Sequence, residues 1–120
     1  MVTREQLQSY CLAKNAVTES FPFGDDVAVY KVLEKMFALL SSGANVRITL
    51  KCDPDKALLL RDIYPAVQGG YYMNKHHWNT ITIDGTVPDD ELLAMIDDSY
   101  RLVVKGLPRA DREQLARSTP

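Results

Sequence analysis

Cysteine is scarce in this 120-residue sequence: Cys11 and Cys52 are its two, with no CxxC pair. A chain of this length builds a core without a covalent staple. No disulfide framework is therefore expected, and both thiols read as reduced, small apolar residues in a cytoplasmic protein. Long apolar runs are lacking too. No window approaches the ~18 apolar residues of a membrane span, and the stretch after Arg4 holds no leader-like apolar segment, so neither export nor membrane insertion is expected. Charge of one sign is missing as well: 14 Lys and Arg stand against 16 Asp and Glu, a net charge of -2 and a pI near 5.6. This excludes a polybasic nucleic-acid binder of the usual kind, and any anion site must be a local patch.

What is present is an average globular composition, 46% apolar and 25% charged, in a length that suits one domain. Thr3 and Gln6 form a capping box ahead of Leu7, Tyr10 and Cys11, which predicts a helix over about residues 4–14. Between residues 18 and 52 the period changes to two, broken at Phe23-Gly24-Asp25-Asp26, Leu33-Glu34 and Ser41-Ser42-Gly43-Ala44, which predicts an antiparallel meander. Along its clearest strand Val46, Ile48, Leu50 and Cys52 face a core, and Arg47, Thr49 and Lys51 face outward. Asp53-Pro54 starts a second helix that Pro65 ends. Trp78, Thr80 and Thr82 alternate with Ile81 and Ile83 in a further strand. Pro88 opens a third helix, with Asp89, Asp90 and Glu91 in its first turn and a stripe of Leu92, Leu93, Ile96, Tyr100, Val103 and Val104 ending at Gly106. The expected fold is α+β: a two-layer sandwich, an antiparallel sheet with three helices on one face. Residues 1–108 form the domain and 109–120 a polar tail. Without helical stretches between its strands, the meander disfavours a doubly wound fold.

Catalytic and cofactor motifs are missing. The chain has no phosphate loop, GxSxG elbow or HExxH spacing. His76-His77 place adjacent rings on opposite sides of an extended segment, with no further histidine to complete a metal site. Asp89-Asp90 and Asp97-Asp98 suit a helix dipole and a solvated face. Gly69-Gly70 reads as a flexible turn before it reads as an anion nest. No catalytic residue, metal or cofactor is expected.

The informative stretch runs from Gly70 to Thr80. No carboxylate interrupts the chain between Asp62 and Asp84, and Tyr71, Tyr72, Lys75, His76, His77 and Trp78 fall together. Lys75 and His77 suit phosphate contacts, Trp78 or Tyr72 base stacking, and Asn74 or Asn79 hydrogen bonding. On chemistry alone Trp78 is more often a packing anchor than a binding surface. Strand parity adds Lys35, Phe37, Arg47, Thr49 and Lys51 to the outward surface of Trp78, Thr80 and Thr82, unless a bulge turns Phe37 into the core.

Met73-Asn74-Lys75-His76-His77-Trp78 resembles the recurring Met-Asn-Lys-x-His-Trp pattern of the MmcQ/YjbR-like family of small bacterial proteins. Tyr10-Cys11, Lys35-Met36-Phe37-Ala38, Leu50-Lys51-Cys52 before Asp53-Pro54, Asp98-Ser99-Tyr100 and Leu107-Pro108 extend the resemblance over about residues 5–108. Tyr72 departs from the polar residue expected before the methionine. The resemblance implies a frataxin-like, secretion-chaperone-like sandwich and a DNA-binding role through a double-wing arrangement. It singles out Asn74, Lys75, His77 and Trp78.

The leading expectation is a monomeric, non-enzymatic nucleic-acid-binding module, contacting DNA through Lys75, His77, Trp78, Asn74, Arg47, Lys51 and Lys35. The alternatives are a protein- or peptide-binding module of secretion-chaperone type anchored by Phe37, and a small-ligand pocket around Tyr71, Asn74 and His77.

Overall fold

The structure is a computed structural model that describes residues 1–70 and 73–117. In chain order it contains α1 (Arg4–Leu12), β1 (Val17–Ser20), β2 (Val27–Val32), β3 (Lys35–Ser41), β4 (Arg47–Lys51), α2 (Pro54–Ile63), β5 (Val67–Gly69), β6 (Trp78–Thr82), α3 (Asp89–Lys105) and α4 (Arg109–Arg117). The strands form one antiparallel sheet in the order β1-β2-β3-β4-β6-β5. The α+β class and the antiparallel meander are as expected, whereas the count of three helices is corrected to four. Residues 109–117 of the expected polar tail are helical. Leu115 is buried there, and Asn15 Nδ2 donates to its carbonyl at 3.1 Å. Leu115 is the one buried residue of this helix, too little for a periodic apolar stripe, which is why composition alone reads the segment as tail.

Local chemistry sets the element ends. Thr3 Oγ1 accepts from Gln6 N while Thr3 N donates to Gln6 Oε1, the reciprocal cap read from sequence. Asp53 caps α2 by accepting from Asp55 N, with Pro54 at the first helical position. Leu33 and Glu34 turn β2 into β3 with φ of 45° and 73°, both left-handed.

One core cluster joins Leu7 and Cys11 of α1, Ala57 and Leu60 of α2, Leu92, Ile96 and Val103 of α3, and Leu115 of α4. They meet Ala28, Tyr30, Ala38, Leu40, Ile48, Leu50, Val67 and Ile81 of the sheet. The alternate strand residues point away from this cluster.

Phe37 breaks the alternation. The β2–β3 register passes from Tyr30↔Ala38 to Lys31↔Met36, so Phe37 is an extra residue in β3. The bulge turns its side chain into the core, fully buried, with its ring 5.4 Å from that of Tyr100 at 87°. Phe37 therefore does not join the outward surface, and a groove anchored on it loses its anchor. Lys35, upstream of the bulge, pairs with core-facing Val32 and leaves the outward set with it, although it stays exposed.

Candidate nucleic-acid interface

Three outward cross-strand pairs form the middle of the exposed sheet surface: Arg47↔Thr82, Thr49↔Thr80 and Lys51↔Trp78. Strand alternation brings these six together as expected, with Lys31 and Gln68 sharing the same parity on β2 and β5. Thr49 Oγ1 and Thr80 Oγ1 lie 2.8 Å apart in a hydrogen bond between the two charged pairs. Arg47 is exposed, and Lys51 and Trp78 are half-buried.

Charge is distributed unevenly over the molecule. Glu19 is the one carboxylate in any described strand, and it is turned inward, accepting from Tyr30 Oη at 2.7 Å and Gln8 Nε2 at 2.9 Å. Two cations near the helices are paired, Lys14 with Asp97 at 2.5 Å and Lys56 with Asp98 at 2.7 Å. The Asp98 carboxylate holds the Lys56 ammonium above its ordinary range through that hydrogen bond. Among the described residues the side chains of Lys31, Arg47 and Lys51 make no ion pair.

The segment before β6 is built differently. Asn74 Oδ1 accepts from His76 N at 2.9 Å, and Asn74 O accepts from His77 N at 3.0 Å. The Asn74 side chain thus holds its own turn. His77 O accepts from Cys52 N at 2.8 Å, tying the turn to the end of β4. Asn79 is 2% exposed on the core side, with Nδ2 donating to Ala57 O at 3.3 Å, so it is a structural residue and does not reach the outward surface.

Arg61 of α2 closes this arrangement, and sequence reasoning missed it. Its Nε donates to Asn79 Oδ1 at 2.7 Å, while Nη2 donates to Lys75 O and, at 3.4 Å, to Trp78 O. A lone arginine in an amphipathic helix carries no local signal of such a partner.

The expected site divides in two. A Cβ placed on Gly69, whose register partner is core-facing Asn79, would stand 3.1 Å from Lys75 Cγ. The Lys75 stem therefore lies on the Arg61 side of the sheet edge. A Cβ on Gly70 would stand 2.7 Å from Trp78 Cβ. Gly70 N donates to Trp78 O at 2.8 Å, so these glycines continue strand pairing where a flexible turn was expected. Arg47, Lys51 and Trp78 share the outward surface; Lys75, Asn74 and Lys35 lie off it; His76 and His77 are exposed on the connecting turn. Tyr71 and Tyr72, named for pocket and stacking roles, lie outside the described residues.

The cavity between β4, α2 and α3, lined by Leu50, Cys52, Leu60, Ile81 and Met95, holds about 10 Å³, the space of one water molecule. Among the described residues no group of three or more His, Cys, Asp or Glu is placed to hold a metal ion, and no helix is long and apolar enough to cross a membrane. Burial pushes the Cys11 thiol up to about 12 and raises that of Cys52, which leaves both protonated and poorly nucleophilic near neutrality.

A single antiparallel sheet, four helices and an outward surface that carries Arg47, Lys51 and Trp78 define a small α+β protein. The chain belongs to the YjbR family, whose model matches residues 12–102. It is 32% identical to the Uncharacterized protein YjbR of Escherichia coli strain K12 over 115 residues, 95% of this chain and 98% of that protein. With the Uncharacterized protein YbdF of Escherichia coli O157:H7 it shares 40% identity over 96 residues, 79% of either chain. The crystal structure of a Deinococcus radiodurans protein with the DUF419 domain matches it at a TM-score of 0.89 and 40% identity, covering 97% of this chain and 89% of that one.

Proposed function

We propose that this chain is a non-enzymatic nucleic-acid-binding module that uses the outward surface of its sheet in a reducing, cytoplasmic setting. One observation carries the reading: among the described residues Lys31, Arg47 and Lys51 make no ion pair, and no outward strand position carries a carboxylate, in a protein whose net charge is -2. Unpaired cations beside an aromatic ring match a polyanion with π-faces. Few phosphate contacts are available, so affinity is modest and falls steeply with salt.

The test is fluorescence anisotropy of labelled DNA at low and physiological salt, with Arg47→Ala, Lys51→Ala and Lys75→Ala. Arg47→Ala and Lys51→Ala should each weaken binding and flatten the log–log salt slope by about 0.7–0.9. Lys75→Ala, off the outward surface, should do less than Lys51→Ala. Absence of binding at low salt, or binding indifferent to Arg47 and Lys51, sinks the reading.

A further inference from the structure

Trp78 narrows the class of nucleic acid, an inference that rests on the reading above. We infer that the outward sheet surface takes a single strand, with one unpaired base stacked on the Trp78 indole and its flanking phosphates on Lys51 and Arg47.

Trp78 pairs across the ladder with Lys51, so the Lys51 side chain leaves β4 on the same face as the indole. On the β5 side its neighbour is Gly70, where an added Cβ would stand 2.7 Å from Trp78 Cβ, so a glycine is what leaves room for the Trp78 side chain there. Arg47 lies four residues along β4 from Lys51, about 13 Å at the ordinary strand rise. An extended single strand crosses that distance in a few nucleotides. Between the two cations lie Thr49 and Thr80, whose hydroxyls bond each other, and Gln68, the register partner of Thr80 on β5, sets one amide beside this track. The arrangement follows a phosphate chain and stacks a base, with Gln68 as the one amide on hand to touch a base edge.

A duplex meets this surface poorly. Its base faces are covered by their neighbours in the stack, so the indole would have nothing to pack on except a helix end. Sequence is read in a duplex by an element that enters a groove. The residues gathered here lie on the plane of a sheet, and the two central threonines are half-buried within it. A single strand exposes its bases and fits a shallow platform.

Trp78 is the sole tryptophan, so its own emission reports the contact. The full chain would be titrated at low salt with single-stranded oligothymidylate, single-stranded oligouridylate and a hairpin duplex, each of about 12 nucleotides or base pairs. Either single strand should quench Trp78 emission and bind at least about tenfold tighter than the duplex. Trp78→Phe should keep the preference, and Trp78→Ala should reduce single-strand affinity by about fivefold to 150-fold, the loss of one stacked base. If Trp78→Ala does not fold, the emission of the unaltered protein still decides. Salt-sensitive binding that leaves Trp78 emission unchanged, or duplex affinity equal to or above that of the single strands, overturns this inference and leaves the nucleic-acid reading standing. No binding to any of the three overturns both.

Discussion

Ser99 Oγ donates to Phe37 O at 2.6 Å, and the same oxygen accepts from Lys51 N at 2.8 Å. The ladder between β3 and β4 runs through Leu40↔Ile48, Leu39↔Thr49 and Ala38↔Leu50, so Phe37 and Lys51 would form its next rung. The bulge that sends Phe37 into the core opens that rung, and a fully buried hydroxyl from α3 fills it. Helix and sheet are thereby joined by a polar contact where both backbone groups would otherwise be orphaned.

Replacing Ser99 by Ala leaves the Phe37 carbonyl and the Lys51 amide without this partner. The expected loss is about 1–3 kcal/mol of unfolding free energy, read from urea denaturation. A change below about 0.5 kcal/mol, the range of an ordinary surface substitution, would show that the hydroxyl is not holding the rung.

Arg61 should govern the order of the turn that precedes Trp78. Arg61→Ala strips buried Asn79 Oδ1 of its donor and releases the carbonyls of Lys75 and Trp78. Stability should fall by about 1–3 kcal/mol. Amide exchange at His77 and Cys52, whose bonds run to Asn74 O and His77 O, should accelerate by about tenfold or more under native conditions. Arg61→Lys should resemble the alanine variant, because an ammonium cannot present a planar fork to three acceptors. Unchanged exchange at His77 would remove Arg61 from this role.

These two residues mark where sequence reading stops. Ser99 was visible as part of the Asp98-Ser99-Tyr100 resemblance, yet its reason lies in a bulge 62 positions away in the chain. Arg61 gave no signal, because its partners belong to a turn that only tertiary packing brings near. Local chemistry was legible throughout: the Thr3–Gln6 box, the Asp53-Pro54 start, and the alternation that sets Arg47, Thr49 and Lys51 against Trp78, Thr80 and Thr82. Strand parity leaves Phe37 open between surface and core and puts Lys35 outward, because a single inserted residue reverses parity and the choice between bulged and regular pairing is made by the core that receives the ring. Asn79 was read as a surface donor for a related reason. A polar residue at a core-facing position is explained only by the partners that satisfy it.

The β2–β3 turn leaves stability unclaimed. Glu34 sits at φ 73°, where a side chain costs about 1 kcal/mol and glycine costs almost nothing sterically. Leu33, at φ 45°, packs on the core and should be kept. Glu34→Gly should therefore raise the melting temperature by a few degrees, the gain being partly offset by the freer unfolded chain. A lower melting temperature would mean that the Glu34 side chain makes up for its strain.

Alkaline pH should destabilise the protein through its buried acids. Burial lifts the Cys11 thiol from 9.0 to about 12 and raises Cys52 in the same direction. Tyr30 is raised as well, by burial first and then by the hydrogen bond it donates to Glu19. Each of these groups holds its proton more tightly in the native state, so the unfolded chain ionises first as pH rises. Their contribution is complete below the unfolded thiol value of about 8.5 and is lost progressively through the native value, for Cys11 between about pH 9 and 12. Urea midpoints measured from pH 7 to 11 should stay level to about pH 8.5 and then decline. Cys11→Ala should make the decline shallower from pH 9 to 10, and Cys11→Ala with Cys52→Ala shallower still, leaving the later fall to the tyrosines Tyr30, Tyr100 and Tyr10, all raised in the same direction. A decline of equal slope in the double variant would show that the thiols are not the groups that ionise on unfolding.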